Sequence, residues 1–257
     1  MNNAIEINII NFVCIYLLLI FIGLIMKFSN ISKIKLLVVA STRMTIQLIL
    51  AGYILVYLLD NPSPILVILY VGIMIVFSIY RVLNINKGLN KSFRVAIALG
   101  ITTSSLLTII FVVVFVINES IFNPQYTIPL SGMLLGNTMT GVTLGVRTFI
   151  EKINDSKLQI EVLLNQGATP KKILSPFVNS SFETAILPTI NTMVGMGIVT
   201  LPGMMTGQII SGESPITAIM YQISITIAIS AVVCLAVFLS LNLGYKTLYN
   251  KENQFNL

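Results

Sequence analysis

Long apolar runs recur along the whole chain, separated by short stretches of polar and charged positions. A helix that crosses a bilayer needs about 20 mostly apolar residues. Seven segments meet that requirement: 7–26, 36–59, 64–83, 95–117, 127–146, 184–210 and 216–243. The third is short, and the fifth is rich in Gly and Thr. The pattern predicts an all-α polytopic membrane protein of about seven transmembrane helices. Connections are short except for residues 147–183, so 1–257 reads as one transmembrane domain with a single sizeable segment outside the bilayer.

Composition narrows the class. Of 257 residues, 56% are hydrophobic and 9% charged, and mean hydropathy is +0.94. Soluble domains carry about 25% charged residues. A soluble enzyme, a disordered tail and a secreted disulfide scaffold are excluded. The net charge of +6 comes from 15 Lys+Arg against 9 Asp+Glu. These cations are spread over loops, which speaks for topology and against nucleic acid. Lys27, Lys33, Lys35 and Arg43 follow span one or enter span two, and Arg81, Lys87, Lys91 and Arg94 lie around the third loop. Arg147, Lys152, Lys157, Lys171 and Lys172 follow span five, and Lys246 and Lys251 follow span seven. The opposite side carries Glu6, Asp60, Glu119 and Glu213. Seven spans with the N-terminus outside and the C-terminus cytoplasmic satisfy the positive-inside rule, whereas an even count breaks the partition. Met1–Glu6 has no positive region, so a cleaved signal peptide is not expected. Cys14 and Cys234 lie in apolar runs without a CxxC partner and read as small core residues. The chain has no histidine, which removes the commonest metal ligand and general base.

The segment 147–183 is punctuated as helix. Ser156-Lys157-Leu158-Gln159 fits a capping box, and a helix can run from there to Gln166. Gly167 fits the left-handed position past a helix end, and Thr169-Pro170 fits an N-cap followed by Pro at N1. The expectation is a helix, a tight turn and a second helix at the inner membrane face. By physics alone it is either an amphipathic helix lying on lipid or a rigid docking element for a partner.

Glu161, five intervening residues and Gly167-Ala168 resemble the coupling loop of ATP-binding-cassette (ABC) permeases. Gly136-Asn137-Thr138-Met139, Gly167-Ala168-Thr169-Pro170, Leu187-Pro188-Thr189-Ile190-Asn191-Thr192-Met193 and Leu201-Pro202-Gly203-Met204-Met205-Thr206-Gly207-Gln208-Ile209 resemble the FetB-like, or UPF0014, permease family. The likeness covers roughly residues 35–245, is densest over 130–225, and includes Tyr221-Gln222. It implies the membrane subunit of an ABC transporter in a bacterial inner or plasma membrane, working as a homodimer with a separate ATPase. It implies ATP-coupled export of iron or another metal species. It also implies a coupling role for Glu161, Gly167, Ala168, Thr169 and Pro170. Glu161 is followed by Val162-Leu163, not the Ala-Ala of importers. The chain has no GxxxxGK[ST] pattern, so no cofactor is expected on it; ATP and Mg would belong to the partner.

Asn137-Thr138-Met139-Thr140-Gly141 and Asn191-Thr192-Met193-Val194-Gly195 share the pattern N-T-M-x-G on spans that run in opposite directions. Such pairs mark substrate sites at repeat interfaces, or simply helix packing. Gly132/Gly136, Gly141/Gly145 and Gly203/Gly207 are small-xxx-small pairs that allow close helix approach. Pro202-Gly203 interrupts span six, either as a simple kink or as freed backbone lining a gate. Asn137, Thr138, Asn191, Thr192, Pro202, Gly203, Met204, Met205, Thr206 and Gln208 are therefore the candidate pathway residues.

Met133, Met139, Met193, Met196, Met204 and Met205 crowd spans five and six. Thioethers suit Cu(I), but with no nearby Cys or His most read as adaptable packing, and a metal site is left unassigned. Glu183 and Glu213 sit at span ends, so no carboxylate lies deep in a span. A bare divalent cation would meet only neutral ligands, which favours a chelated cargo or a polar cavity. Arg43 is either functional or snorkels to the headgroups, and Arg147 and Glu183 are placed to pair. The rival reading is a secondary transporter or channel without an ATPase, weakened by the Glu161/Gly167 element. An intramembrane enzyme has no visible nucleophile, base or carboxylate pair, so no catalytic residue is expected.

Overall fold

The computed structural model describes residues 8–249, and Glu6 and Lys251 of the charge partition, with Met1–Glu6 as a whole, lie outside them. Among the described residues the chain is helical with no strand. The helices are α1 (Ile9–Cys14), α2 (Tyr16–Phe28), α3 (Ile34–Asp60), α4 (Pro64–Ile85), α5 (Lys91–Ile110), α6 (Pro124–Asp155), α7 (Lys157–Asn165), α8 (Pro170–Gly195), α9 (Gly203–Ile210) and α10 (Pro215–Gly244). A π-helical turn, Phe111–Val116, extends α5. The chain divides into two compact units, Met1–Asn61 with Ile210–Glu213, and Pro62–Ile209 with Ser214–Leu257.

Five described segments are long and apolar enough to cross a membrane: Asn11–Phe28, Ile34–Asp60, Pro64–Ile85, Lys91–Val116 and Pro215–Thr247. They coincide with spans one to four and seven. Helices α6 and α8 are long enough but too polar to qualify by composition. Apolar side chains point outward along the five segments, among them Leu17, Leu48, Val76, Leu107 and Ile223. In water such patches would aggregate; in lipid they are the solvated face. The protein is a multi-pass membrane protein.

In the first unit, α2 has no buried residue and α3 buries only Leu58. The Tyr16 and Thr45 hydroxyls meet at 2.6 Å and tie the two helices together.

The second unit has a continuous core. Phe93, Ile97 and Ile101 of α5, Leu134, Val142, Val146 and Phe149 of α6, Leu174 and Ala185 of α8, and Val233, Val237 and Leu241 of α10 fill it. Small residues set how closely these helices approach. A Cβ at Gly141 would lie 2.6 Å from Val233, and one at Gly145 would lie 3.0 Å from Val237 and 3.1 Å from Ala185. The Gly141/Gly145 pair is thus a packing face against α10 and α8. Gly136, Gly203 and Gly207 have nothing within 4 Å, and Gly132 meets only Met74. The tightest approach was not among the expected pairs. A Cβ on Gly100 of α5 would meet Ser240 Oγ at 2.5 Å and the α10 backbone at 3.0 and 3.2 Å. Gly244 faces the Phe93 ring in the same way.

Asn90 closes the end of this bundle. Its side chain accepts from the Phe93 amide at 2.7 Å, capping α5, and donates to the Thr247 carbonyl at 2.9 Å.

Candidate functional site

The expected helix–turn–helix at 147–183 takes a different form. α6 runs to Asp155, α7 follows almost without interruption, and α8 starts at Pro170 and continues into span six. The capping box does not form: Ser156 has φ −105° and ψ 16°, and its amide donates back to Lys152 and Ile153 carbonyls. It closes α6, and an N-cap hydroxyl needs an extended residue that the near-continuous chain does not supply. The end of α7 matches expectation. Gly167 has φ +84°, its amide donates to the Leu164 carbonyl at 2.9 Å, and the Ala168 amide donates to the Leu163 carbonyl at 3.0 Å. These two bonds are the Schellman motif. Pro170 is buried at the first position of α8, and Thr169 is extended but caps through its backbone alone.

Helix α7 is amphipathic. Ile160, Leu163 and Leu164 pack on the core of the second unit, while Leu158, Glu161 and Val162 are exposed, Leu158 by 79%. Two apolar side chains one turn apart thus flank Glu161 on an outward face. Lys152 Nζ donates to Ser180 Oγ, joining α6 to α8 beneath this element. The expected Arg147–Glu183 pair is absent. Arg147 donates instead to Glu151 at 2.8 Å, four residues along the same helix, where geometry brings them together. That hydrogen bond raises the guanidinium pKa further above its ordinary value.

Span six is not one helix. α8 ends at Gly195 and α9 begins at Gly203. Between them the Gly195 carbonyl accepts from the Val199 and Thr200 amides at 3.0 and 3.2 Å, and Gly197, at φ +79°, donates to the Thr200 carbonyl at 3.0 Å. The expected kink at Pro202 is the last residue of a wider break, opened by two glycines upstream. Pro202 keeps one helical role, its carbonyl accepting from the Thr206 amide at 3.0 Å and hydroxyl at 3.1 Å.

Two cavities lie beside the predicted pathway residues. A small one sits between α6 and α8, lined by Asn137, Thr140, Gly141, Leu144, Ala185, Pro188, Thr189 and Thr192. The two N-T-M-x-G motifs meet here through their Asn137 and Thr192 positions. Pro188 has no N–H for the Thr184 carbonyl, so one backbone acceptor is freed beside the cavity. Thr138 is fully buried and donates to the Leu134 carbonyl, so its neighbours Asn137 and Thr140 face the cavity in its place. Asn191 is exposed and lines neither cavity.

The larger cavity, about 510 Å³, lies between the α8–α9 break and α10. Met193, Met196, Pro202 and Met205 line one side, and Gln222 and Thr226 the other. Gly203 and Thr206 are exposed, Gln208 is half-buried, and Met204 packs on the core. Thr226 and Ser230 were missed from sequence. Their signal is spacing: Gln222, Thr226 and Ser230 recur every four residues, one polar stripe on an apolar helix. Among the described residues no cluster of three or more His, Cys, Asp or Glu could hold a metal ion.

A family model described as "Uncharacterised protein family (UPF0014)" matches residues 9–249. The UPF0014 membrane protein slr1647 of Synechocystis is 32% identical, over 84% of this chain and 83% of its own. The probable iron export permease protein FetB of Escherichia coli K12 is 32% identical, over 82% of this chain and 81% of its own. Protein ALUMINUM SENSITIVE 3 of Arabidopsis thaliana is 27% identical, over 80% and 75%. No solved structure matches. The matched region takes in both cavities and the α8–α9 break, and the chain belongs to the UPF0014 family.

Proposed function

We propose that this chain is the permease subunit of an ABC transporter, exporting iron or another metal species with ATP hydrolysed by a separate subunit. The observation that carries the reading is α7. Its inner face is fixed to the bundle core, its C-terminal end is locked by the Schellman turn at Gly167, and its outer face presents Leu158, Glu161 and Val162. A short helix held at both ends moves as a body, which is what a docking element for a motor requires. Pro170 opens α8 after the four-residue hydrogen-bonded turn 166–169, so displacement of α7 is passed into α8 through a short, fixed connection. The name of the E. coli relative supports the cargo class. ATP and Mg are held by the partner in this reading.

The same reading has seven spans, with the N-terminus outside and the C-terminus in the bacterial cytoplasm, an arrangement the distribution of Lys and Arg supports. α6 and α8 are the fifth and sixth. Their exposed Asn137, Thr140, Pro188 and Thr192 form a polar strip at mid-span. A polar strip at that depth belongs against protein or a wet cavity rather than lipid. A second copy covering it makes a homodimer whose pathway runs along the seam, with the α8–α9 break as its outer end.

Gly167→Val tests the coupling role. Valine at φ +84° is sterically strained, so the turn opens and α7 loses its lock. In proteoliposomes with an ABC ATPase that binds the wild-type chain, metal-stimulated ATP hydrolysis should be lost while the permease remains in the membrane. Undiminished stimulation would remove α7 from the coupling path. Failure of wild-type chain to bind any ATPase would return the secondary-transporter reading.

A further inference from the structure

Three methionines line one cavity where the α8–α9 break faces α10. Met193 closes the end of α8, Met196 opens the break, and Met205 comes back from the first turn of α9. Two of the sulfurs have a hydroxyl beside them. Ser230 Oγ is 3.0 Å from Met193 Sδ, and Thr226 Oγ1 is 3.3 Å from Met196 Sδ. Each hydroxyl also reaches a carbonyl of its own helix, Ser230 that of Thr226 at 2.9 Å and Thr226 that of Gln222 at 2.8 Å. The contacts to sulfur are therefore dispensable to the hydroxyls. If a sulfur turns to a ligand, its hydroxyl keeps an acceptor and no buried donor is orphaned. A thioether is a weak acceptor toward a hydroxyl but a good donor toward a soft cation.

Apart from Gln222 and Thr226 the rest of the lining is apolar, Leu201, Ile219, Ile223 and Ile227 among it, and no carboxylate reaches it. Stripping water from a divalent cation in such a place is costly, and neutral ligands do not offset that cost. A weakly hydrated monovalent cation with affinity for sulfur escapes the penalty. We infer that this cavity binds a soft monovalent cation, Cu(I) or Ag(I), through the thioethers of Met193, Met196 and Met205. The inference goes beyond the transport reading and does not depend on it, since binding is measured on this chain without an ATPase.

The test is calorimetric titration of the purified full chain in detergent with Ag(I), and with Cu(I) under anaerobic conditions. Cys14 and Cys234 are replaced by Ser beforehand, because thiols would bind both ions. One tight equivalent is expected, with Fe(II) and Zn(II) failing to compete. The triple variant Met193→Leu, Met196→Leu, Met205→Leu conserves volume and should keep the fold. It should weaken binding by more than about 100-fold, since losing even an outer-shell partner costs roughly 10–100-fold. The control triple Met133→Leu, Met139→Leu, Met204→Leu removes thioethers that pack on the core and should bind as the parent does. Should the first triple not accumulate, X-ray absorption of the Cu(I)-loaded parent decides: sulfur scatterers support the site, and a shell of only nitrogen or oxygen overturns it. Equal affinity in the two triples, or displacement of Ag(I) by Fe(II), also overturns it.

Discussion

Gly100→Ala should destabilise the bundle even though alanine is the better helix former. The added Cβ would lie 2.5 Å from Ser240 Oγ, 3.0 Å from the Ser240 amide nitrogen and 3.2 Å from the Ala236 carbonyl oxygen. The hydroxyl can rotate away. The other two atoms are α10 backbone, so α5 and α10 must separate, and overpacking of this kind costs about 1–3 kcal/mol. Against this stands a propensity gain of up to about 1 kcal/mol. Gly72→Ala isolates the two effects. Gly72 is interior to α4 with nothing within 4 Å of its Cβ position, so it collects the gain without the clash. The difference between the variants is then the packing term alone, about 1–3 kcal/mol, or about fivefold to more than a hundredfold in the unfolding equilibrium. Half-buried Cys234 of α10 serves as reporter in a Cys14→Ser background. Its maleimide labelling, followed as SDS replaces mild detergent, should reach midpoint at lower SDS for Gly100→Ala than for Gly72→Ala. Ser240→Ala added to Gly100→Ala should recover only part of the loss, because the backbone contacts stay. Equal midpoints for the two glycine variants would refute the claim that this approach holds the helices together.

Asn90→Ala removes the α5 cap and the tie to Thr247, and should cost about 0.5–2 kcal/mol from the cap alone in the same unfolding assay. Asn90→Asp keeps the accepting oxygen and should recover most of that cap term. Arg147→Gln breaks a fully exposed pair and should leave the unfolding midpoint unchanged at both low and high salt, since exposed pairs contribute little. Asn137→Leu should leave membrane levels unchanged and abolish metal efflux from proteoliposomes with the ATPase; wild-type efflux would take the α6–α8 strip off the pathway.

Much of the fold was legible because hydrophobic runs measure helix length directly. Pro64 and Pro215 mark helix starts within a residue of the expected ones, and Gly167 marks an end, because each residue acts through its own backbone angles. The misreadings share a different cause. Ser156-x-x-Gln159 has the composition of a capping box, but the box also requires an extended residue, which the run-on from α6 denies. The break in span six was placed at Pro202 because proline is conspicuous, whereas Gly195 and Gly197 terminate the helix first. Arg147 found Glu151 because an intrahelical neighbour needs no tertiary placement. Gly100 could not be singled out, since its significance lies in Ser240, 140 positions away in sequence and adjacent only after folding.

The division between apolar and polar helices carries a functional argument of its own. Asn and Thr on the outer face of a span can be satisfied by their own helix backbone. On α6 and α8 they are satisfied in that way: Asn137 donates to the Met133 carbonyl, Thr140 to Gly136 and Thr192 to Pro188. That arrangement engages one donor of each side chain and leaves its oxygen able to accept. Such a strip repels neither water nor a chelated cation and binds neither tightly. Conduction requires this weak binding, since a cargo must leave as readily as it enters. The cavity at the break has a different lining, mostly apolar with three methionines. In the proposed readings the two chemistries separate along the chain: neutral oxygens at Asn137, Thr140 and Thr192 serve passage, and thioethers at Met193, Met196 and Met205 bind a soft cation. If that separation holds, Asn137→Leu will stop efflux with Ag(I) affinity intact, while the triple Met→Leu variant will lose Ag(I) affinity with the oxygen strip unaltered.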